Sequence, residues 1–189
     1  MSLNRFFVLP IWLVVLMLPC FGGGVSAQPA PADYKPFLGH YTGQVMMETS
    51  SGPAGRELEV LVRQETEGFS LEWSTDTIRP DGRIKSDTYF IAFKPTPRRG
   101  IYLPTNEVKR MGVTVQMDPL GGDPQLLLCK IEGDTMTVHA SQLMEDGVFE
   151  VQTYERTLTP GGMHLKFSRV RNGEATRAIE ADLKKNDVR

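Results

Sequence analysis

Tight-turn signals recur at short intervals along this chain, and their spacing limits the possible folds more than any other feature. Glycine-containing turn dipeptides punctuate the sequence at Glu67-Gly68, Asp81-Gly82, Gly121-Gly122, Gly133-Asp134, Asp146-Gly147, Gly161-Gly162 and Asn172-Gly173. Asp-Gly and Asn-Gly supply the positive φ angles that two-residue hairpin turns require. The segments between these turns have the length of strands, so the chain is predicted to be a series of antiparallel hairpins.

The segments between the turns alternate apolar and polar residues. In "GFSLEWSTDTI", Phe69, Leu71 and Trp73 share one face, while Ser70 and Glu72 share the other. A period of two with one polar face is typical of half-solvated antiparallel strands, and no segment keeps a 3.6-residue period over three turns. Strands are predicted at 39–48, 57–65, 69–78, 84–94, 100–103, 111–117, 125–131, 135–143, 148–158, 163–171 and 175–184, with very little helix.

About ten hairpin-connected strands must either stack as a sandwich or close on themselves. Closure removes the exposed strand edges that promote aggregation, and consecutive hairpins with few long crossovers favour it. The predicted fold class is therefore all-β, an up-and-down antiparallel β-barrel in one domain at 37–189. The polar faces carry many charges, which disfavours a transmembrane barrel because its outer face must be apolar.

The N-terminal segment is predicted to be an export signal. Arg5 precedes an apolar run that ends at Phe21, and the small residues Val25, Ser26 and Ala27 fit a signal-peptidase site. Residues 1–27 are thus a predicted signal peptide, followed by a Pro/Ala-rich linker at 28–36. An uncleaved anchor and a lipid on Cys20 remain as alternatives. The apolar run is shorter than the roughly 20 residues of a membrane-spanning helix, so no stable membrane insertion is expected after cleavage.

Cysteine and charge indicate the compartment. Loss of Cys20 with the signal leaves Cys129, in the apolar run "LLLCKIEG", without a disulfide partner, and a buried thiol is predicted there. A domain of this size can build a core without disulfides, so we expect bacterial export to the periplasm or secretion. The net charge of −2 becomes one unit more negative without Arg5, which disfavours nucleic acid as a partner.

The stretch "FLGHYTGQV" resembles the N-terminal signature of the calycins, the lipocalin, fatty-acid-binding and nitrobindin-like group. Gly39, Tyr41 and Gly43 form the motif, with Tyr41 where Trp is usual. The C-terminal "RTLTPGGMHLKFSRVRNGEATRAIEADLKK" is similar to the nitrobindin-like branch. The resemblance implies a lipocalin-like barrel whose last strand places a basic side chain over the motif aromatic; Arg177, Lys184 and Lys185 are the candidates. Physically, the glycines let the strand bend and Tyr41 plugs the closed end.

Catalytic and cofactor signals are weak. The sequence has no G-x-S-x-G, Gly-rich phosphate loop or H-E-x-x-H, and His40, His139 and His164 occupy different strands without metal-ligand spacing. We therefore predict no enzyme activity and no metal site, although a triad assembled in space remains open. The nitrobindin-like resemblance implies haem held by a histidine in the last strand. No histidine follows His164, so no cofactor is predicted.

The interior is the remaining candidate site. Barrels of this class either fill with side chains or hold one small ligand. Candidate lining residues are Phe69, Leu71, Trp73, Tyr89, Ile91, Phe93, Phe149, Val151 and Phe167. The loop at 102–125 is a candidate lid. The leading hypothesis is an exported barrel that binds a small apolar or amphipathic molecule; the alternative is a filled barrel that serves as a structural or protein-interaction module of the envelope.

Overall fold

A computed structural model describes residues 33–49, 52–79, 81–110, 113–116, 126–144 and 146–186. The predicted signal peptide, residues 28–32 of the predicted linker, and residues 111–112 and 117–125 of the candidate lid loop lie outside these residues. The described elements are a short 3₁₀ helix followed by strands β1 Gly39–Thr49, β2 Gly52–Glu65, β3 Gly68–Ile78, β4 Ile84–Pro95, β5 Ile101–Arg110, β6 Val113–Gln116, β7 Leu126–Glu132, β8 Thr135–Leu143, β9 Phe149–Thr159, β10 Gly162–Arg171 and β11 Glu174–Asn186.

Ten strands form a closed antiparallel barrel. The strand order is β4-β3-β2-β1-β11-β10-β9-β8-β7-β5, and pairing of β4 with β5 closes the wall. Neighbours in the wall are mostly neighbours in sequence, which confirms the up-and-down barrel. The predicted strand at 111–117 corresponds to β6, which pairs with the far part of β5 and is not part of the closed wall. Five of the turns predicted from Gly dipeptides contain a glycine with a positive φ angle: Gly68, Gly82, Gly133, Gly147 and Gly173.

The first and last strands meet over a short distance, and this explains the glycines of the motif. β1 pairs with β2 at eleven positions but with β11 only from His40 to Thr42. A Cβ on Gly43 would lie 2.6 Å from the carbonyl oxygen of Asp182 and 2.5 Å from Leu183 Cδ2, and Gly39 has a φ of 147°. The structure thus gives a more specific reason than bending: β11 approaches β1 too closely for side chains at these positions.

A 3₁₀ helix, Lys35–Phe37, closes the end of the barrel where β1 begins, and we call this end the floor. Tyr41 is fully buried there and donates a hydrogen bond from its hydroxyl to the carbonyl of Phe37 at 2.9 Å. Lys185 Nζ lies 5.4 Å from the Tyr41 ring centroid, so Lys185 is the basic residue that covers the motif aromatic. Tyr34, within the predicted linker, stacks on Phe69 at 5.1 Å, so the described end of the linker packs against the floor.

The opposite end of the barrel, which we call the mouth, is formed by the turns at 79–83, 144–148 and 172–173. Apolar side chains fill the half of the barrel nearest the floor: Phe37, Tyr41, Val62, Phe69, Leu71, Phe93, Ile131, Met136, Met163 and Leu183 are all nearly inaccessible to solvent. The half nearest the mouth contains cavities instead. None of the helices among the described residues is long and apolar enough to span a membrane.

Candidate functional site

Two adjoining cavities occupy the half of the barrel near the mouth. The first, about 260 Å³, is lined by Ile91, Leu127, Val138, Ala140, Gln142, Glu150 and Arg171, among others. The second, about 320 Å³, is lined by Arg56, Leu58, Val60, Arg156, Leu165, Arg177 and Ile179, among others. Both cavities also contact Trp73, Tyr89, Tyr154 and Arg169. The second volume falls at the lower end of the range typical of small-molecule sites.

An aromatic cluster lies between the two cavities. Trp73 stacks on its cross-strand partner Tyr89, with ring centroids 5.1 Å apart and ring planes 15° apart. Tyr154, from β9, lies 5.4 Å from Trp73 and 4.8 Å from Phe167. Because adjacent strands present these rings on the same inner face, the cluster provides a broad apolar wall inside the barrel.

Arg156 projects from β9 into the barrel and is 1 % exposed. Its Cζ atom lies 5.5 Å from the ring centroids of both Trp73 and Tyr154, which are cation–π distances. Its Nε and Nη1 atoms have no hydrogen-bond partner among the described residues. Burial lowers the pKa of Arg156 to about 10, so the guanidinium stays charged at neutral pH. A buried charge with unpaired donors beside a cavity is costly, and an anion could compensate it.

Glu150 balances part of the positive charge near the mouth. It is 2 % exposed and accepts a hydrogen bond from Arg171 Nε at 2.6 Å, and Arg169 Nε lies 3.5 Å away. The side chain of Gln152 donates to Glu150 and accepts from the Tyr154 hydroxyl at 2.8 Å. Burial raises the pKa of Glu150, but the hydrogen bonds and the arginine charges outweigh it and leave this pKa below its ordinary value. Glu150 is therefore an ionised partner for Arg169 and Arg171.

The predicted lining residues separate into three groups. Trp73, Tyr89, Ile91 and Phe167 line the cavities. Phe69, Leu71 and Phe93 belong to the packed core near the floor, where each is at most 1 % exposed. Phe149 and Val151 line neither cavity.

Phe149 and Val151 lie on the outer face of β9. Phe149 is 50 % exposed beside its partner Leu143, while the alternate residues Glu150, Gln152 and Tyr154 line the first cavity. Successive side chains of a strand point to opposite faces, so these two sets cannot share a face. The prediction assumed that the apolar residues of "FEVQTYER" face inward. In this strand the polar set faces inward, because the barrel interior near the mouth is itself polar.

Sequence reasoning missed the interior polar residues: Arg56, Glu150, Gln152, Arg156, Arg169, Arg171 and Arg177. The available signal was the register of β9. Tyr154 alternates with Gln152 and Arg156, so placing Tyr154 inside would have placed both of them inside as well.

The remaining titratable residues singled out from the sequence do not form a site together. His40 contacts Glu59, His139 contacts Thr153 and His164 contacts Asp182, each through the outer face of the wall. No group of three or more potential metal ligands occurs in the part of the chain that the structure describes. Cys129 is a free, buried cysteine, as predicted.

Cys129 should be unreactive in the folded protein. Burial raises the pKa of its thiol to about 12, so almost no thiolate exists at pH 8, and the thiolate is the reactive form. In a Cys20→Ser chain, which retains Cys129 as its one cysteine, we expect no alkylation by iodoacetamide at pH 8 and complete alkylation in urea. Mass spectrometry measures both. Rapid modification without urea would show that Cys129 is accessible from a cavity.

Comparisons of the chain with protein-family profiles, with curated proteins and with solved structures give no match. The evidence for function is therefore the geometry of the barrel itself.

Proposed function

We propose that this barrel binds a small amphipathic molecule that carries an acidic group, and that it binds this molecule without transforming it. The observation that carries the proposal is Arg156, whose charged guanidinium has two unpaired donor atoms, Nε and Nη1, and lies beside a cavity of about 320 Å³. An isolated buried charge is costly unless a partner compensates it. A bound anion supplies that partner, and the aromatic cluster supplies contact area for the apolar part.

The polarity of the cavities supports an amphipathic rather than a purely apolar ligand. Apolar residues such as Ile91, Leu127 and Val138 line one side of the first cavity, whereas arginines line much of the second. An apolar ligand alone would leave the buried Arg156 unpaired and would cut the half-buried Arg56 and Arg177 off from water, which is unfavourable.

The proposed setting is an exported protein of the calycin type. The contact between Lys185 and Tyr41 supports the calycin assignment, since that group places a basic side chain over the same motif position. The small residues before Gln28 support cleavage of a signal peptide and a location in the periplasm or outside the cell. The alternative function is an interaction module of the envelope without a ligand; the packed half of the barrel near the floor favours it.

A fluorescence titration with 8-anilinonaphthalene-1-sulfonate, an anionic amphiphile, tests the proposal. With Trp12 replaced by Phe, Trp73 is the single tryptophan of the chain and lies in both cavity walls. We expect saturable one-to-one binding with energy transfer from Trp73 to the probe. Native mass spectrometry of protein purified from its own host should then detect a bound small molecule. No saturable binding and no co-purified mass would contradict the proposal and leave the interaction module.

A further inference from the structure

The second cavity has more positive charge than the described acidic residues can balance. Its lining contains Arg56, Lys85, Arg156, Arg169 and Arg177. Two carboxylates also line it, but both already have other partners. Lys85 lies 2.9 Å from Asp87, and Glu59 lies 2.6 Å from His40.

Three arginines are left without a carboxylate partner. Arg169 pairs with Glu150, as described above, but Arg56, Arg156 and Arg177 form no ion pair with a described carboxylate. Arg177 also lies directly opposite Arg169 in the pairing of β10 with β11. Like charges at directly opposed positions destabilise a sheet. Burial lowers the pKa of Arg56, and the nearby charges of Arg177 and Arg169 lower it further, outweighing the attraction of Asp87, which forms its ion pair with Lys85.

We infer that the acidic group of the ligand is a phosphate ester, a deepening that rests on the proposed function. A carboxylate carries one charge and two oxygen atoms, which is too little for three guanidinium groups. A phosphate monoester carries about two negative charges above its second pKa of about 6, with three strong acceptor oxygens. Guanidinium groups bind phosphate oxygens in a bidentate manner, and this geometry suits arginine better than lysine.

The arrangement assigns a role to each part of the cavity. Arg156 binds the phosphate from the buried end, against Trp73 and Tyr154, while Arg56 and Arg177 approach from β2 and β11. The apolar part of the ligand packs on the aromatic cluster and on the apolar side of the first cavity. The ligand class is thus a singly phosphorylated amphiphile.

Calorimetric titration at pH 8 tests the assignment with four ligands below their micelle concentrations: decyl phosphate, decyl sulfate, decanoate and inorganic phosphate. We expect decyl phosphate to bind at least tenfold more tightly than decanoate or decyl sulfate. Decyl sulfate has the same three terminal oxygen atoms as decyl phosphate but only one negative charge. Its affinity therefore shows how much of the binding depends on the second charge rather than on the shape of the group. Inorganic phosphate should bind at least a hundredfold more weakly than decyl phosphate, because it lacks the apolar part.

Arg177→Gln should reduce the affinity for decyl phosphate about tenfold and that for decanoate less than threefold, and Arg56→Gln should act in the same direction. Arg63→Gln, an exposed arginine outside the barrel, is the matched control. Circular dichroism verifies folding of each variant.

Equal binding of decanoate and decyl phosphate would overturn the phosphate assignment while the proposed function stands. Equal affinities for inorganic phosphate and decyl phosphate would overturn the assignment of an amphiphilic ligand, because the apolar part would then contribute nothing. If the sulfonate probe and all decyl ligands fail to bind, the proposed function itself fails.

Discussion

Arg156→Met should make the protein more stable and should weaken its binding of the anionic probe. Burial lowers the pKa of Arg156 to about 10, which means that folding penalises the charged form. Because this pKa is lowered in the fold, the penalty is fully present at pH 7 and declines only above pH 10. Methionine fills similar space without charge. We expect a gain of about 1–3 kcal/mol in the free energy of unfolding, after the loss of the two cation–π contacts.

The same substitution should weaken binding of the anionic probe at least tenfold, since a hydrogen bond to a charged group contributes about 1.5–3 kcal/mol. Urea unfolding and the fluorescence titration measure the two effects on one sample. Arg63→Met is the control, because Arg63 is exposed and pairs with Glu72 outside the barrel. It should leave binding unchanged and stability within about 0.5 kcal/mol. A destabilised Arg156→Met protein that still binds would show that Arg156 is structural.

Tyr41→Ala should have the largest effect on stability. The ring is fully buried at the floor, between Phe37 and Lys185, and alanine would leave a cavity that the neighbouring strands cannot close. We expect a loss of about 3–5 kcal/mol, as for other aromatic-to-alanine changes in protein cores. Urea unfolding of the variant beside the unchanged protein gives the measurement.

Tyr41→Phe removes the hydroxyl and keeps the ring, so it measures the contribution of the hydroxyl to stability. The hydroxyl donates to the carbonyl of Phe37, so its removal should cost about 1 kcal/mol while the ring keeps its packing. Ligand binding in this variant should stay within twofold, because the floor lies opposite the mouth. A midpoint of Tyr41→Ala equal to that of the unchanged protein would mean that the motif residue does not plug the barrel.

The barrel was predictable because its determinants are local. Asn172-Gly173 fixes a hairpin through the positive φ of both residues, and the alternation of Phe69, Leu71 and Trp73 fixes which face of β3 is buried. Such signals act within a few residues, so one sequence is enough to read them. Closure was expected because it removes the two exposed edges that a series of hairpins would otherwise have.

The site was only half predictable, because a polar interior reverses the usual rule. Trp73 and Tyr89 face the interior, since each continues the inward apolar set of its strand, after Leu71 on β3 and before Ile91 on β4. On β9 the inward residues are Glu150, Gln152 and Arg156, and only contacts with distant strands reveal this. Arg156 neighbours Trp73 in space but lies far from it in sequence. Patterns of single strands do not report such long-range pairs.

The interior has a packed half near the floor and a hollow half near the mouth. Under the proposed function, natural selection acts on stability in the first and on binding in the second. Residues near the floor, such as Tyr41 and Phe69, stabilise the barrel. Substitutions there should lower the amount of folded protein rather than change binding directly. Residues near the mouth, such as Arg56 and Arg177, contribute little to packing. The two sets lie in different halves of the barrel, so their substitutions should combine additively. Under the proposed function, substitutions near the mouth would therefore change the preferred ligand while the residues near the floor keep the barrel intact.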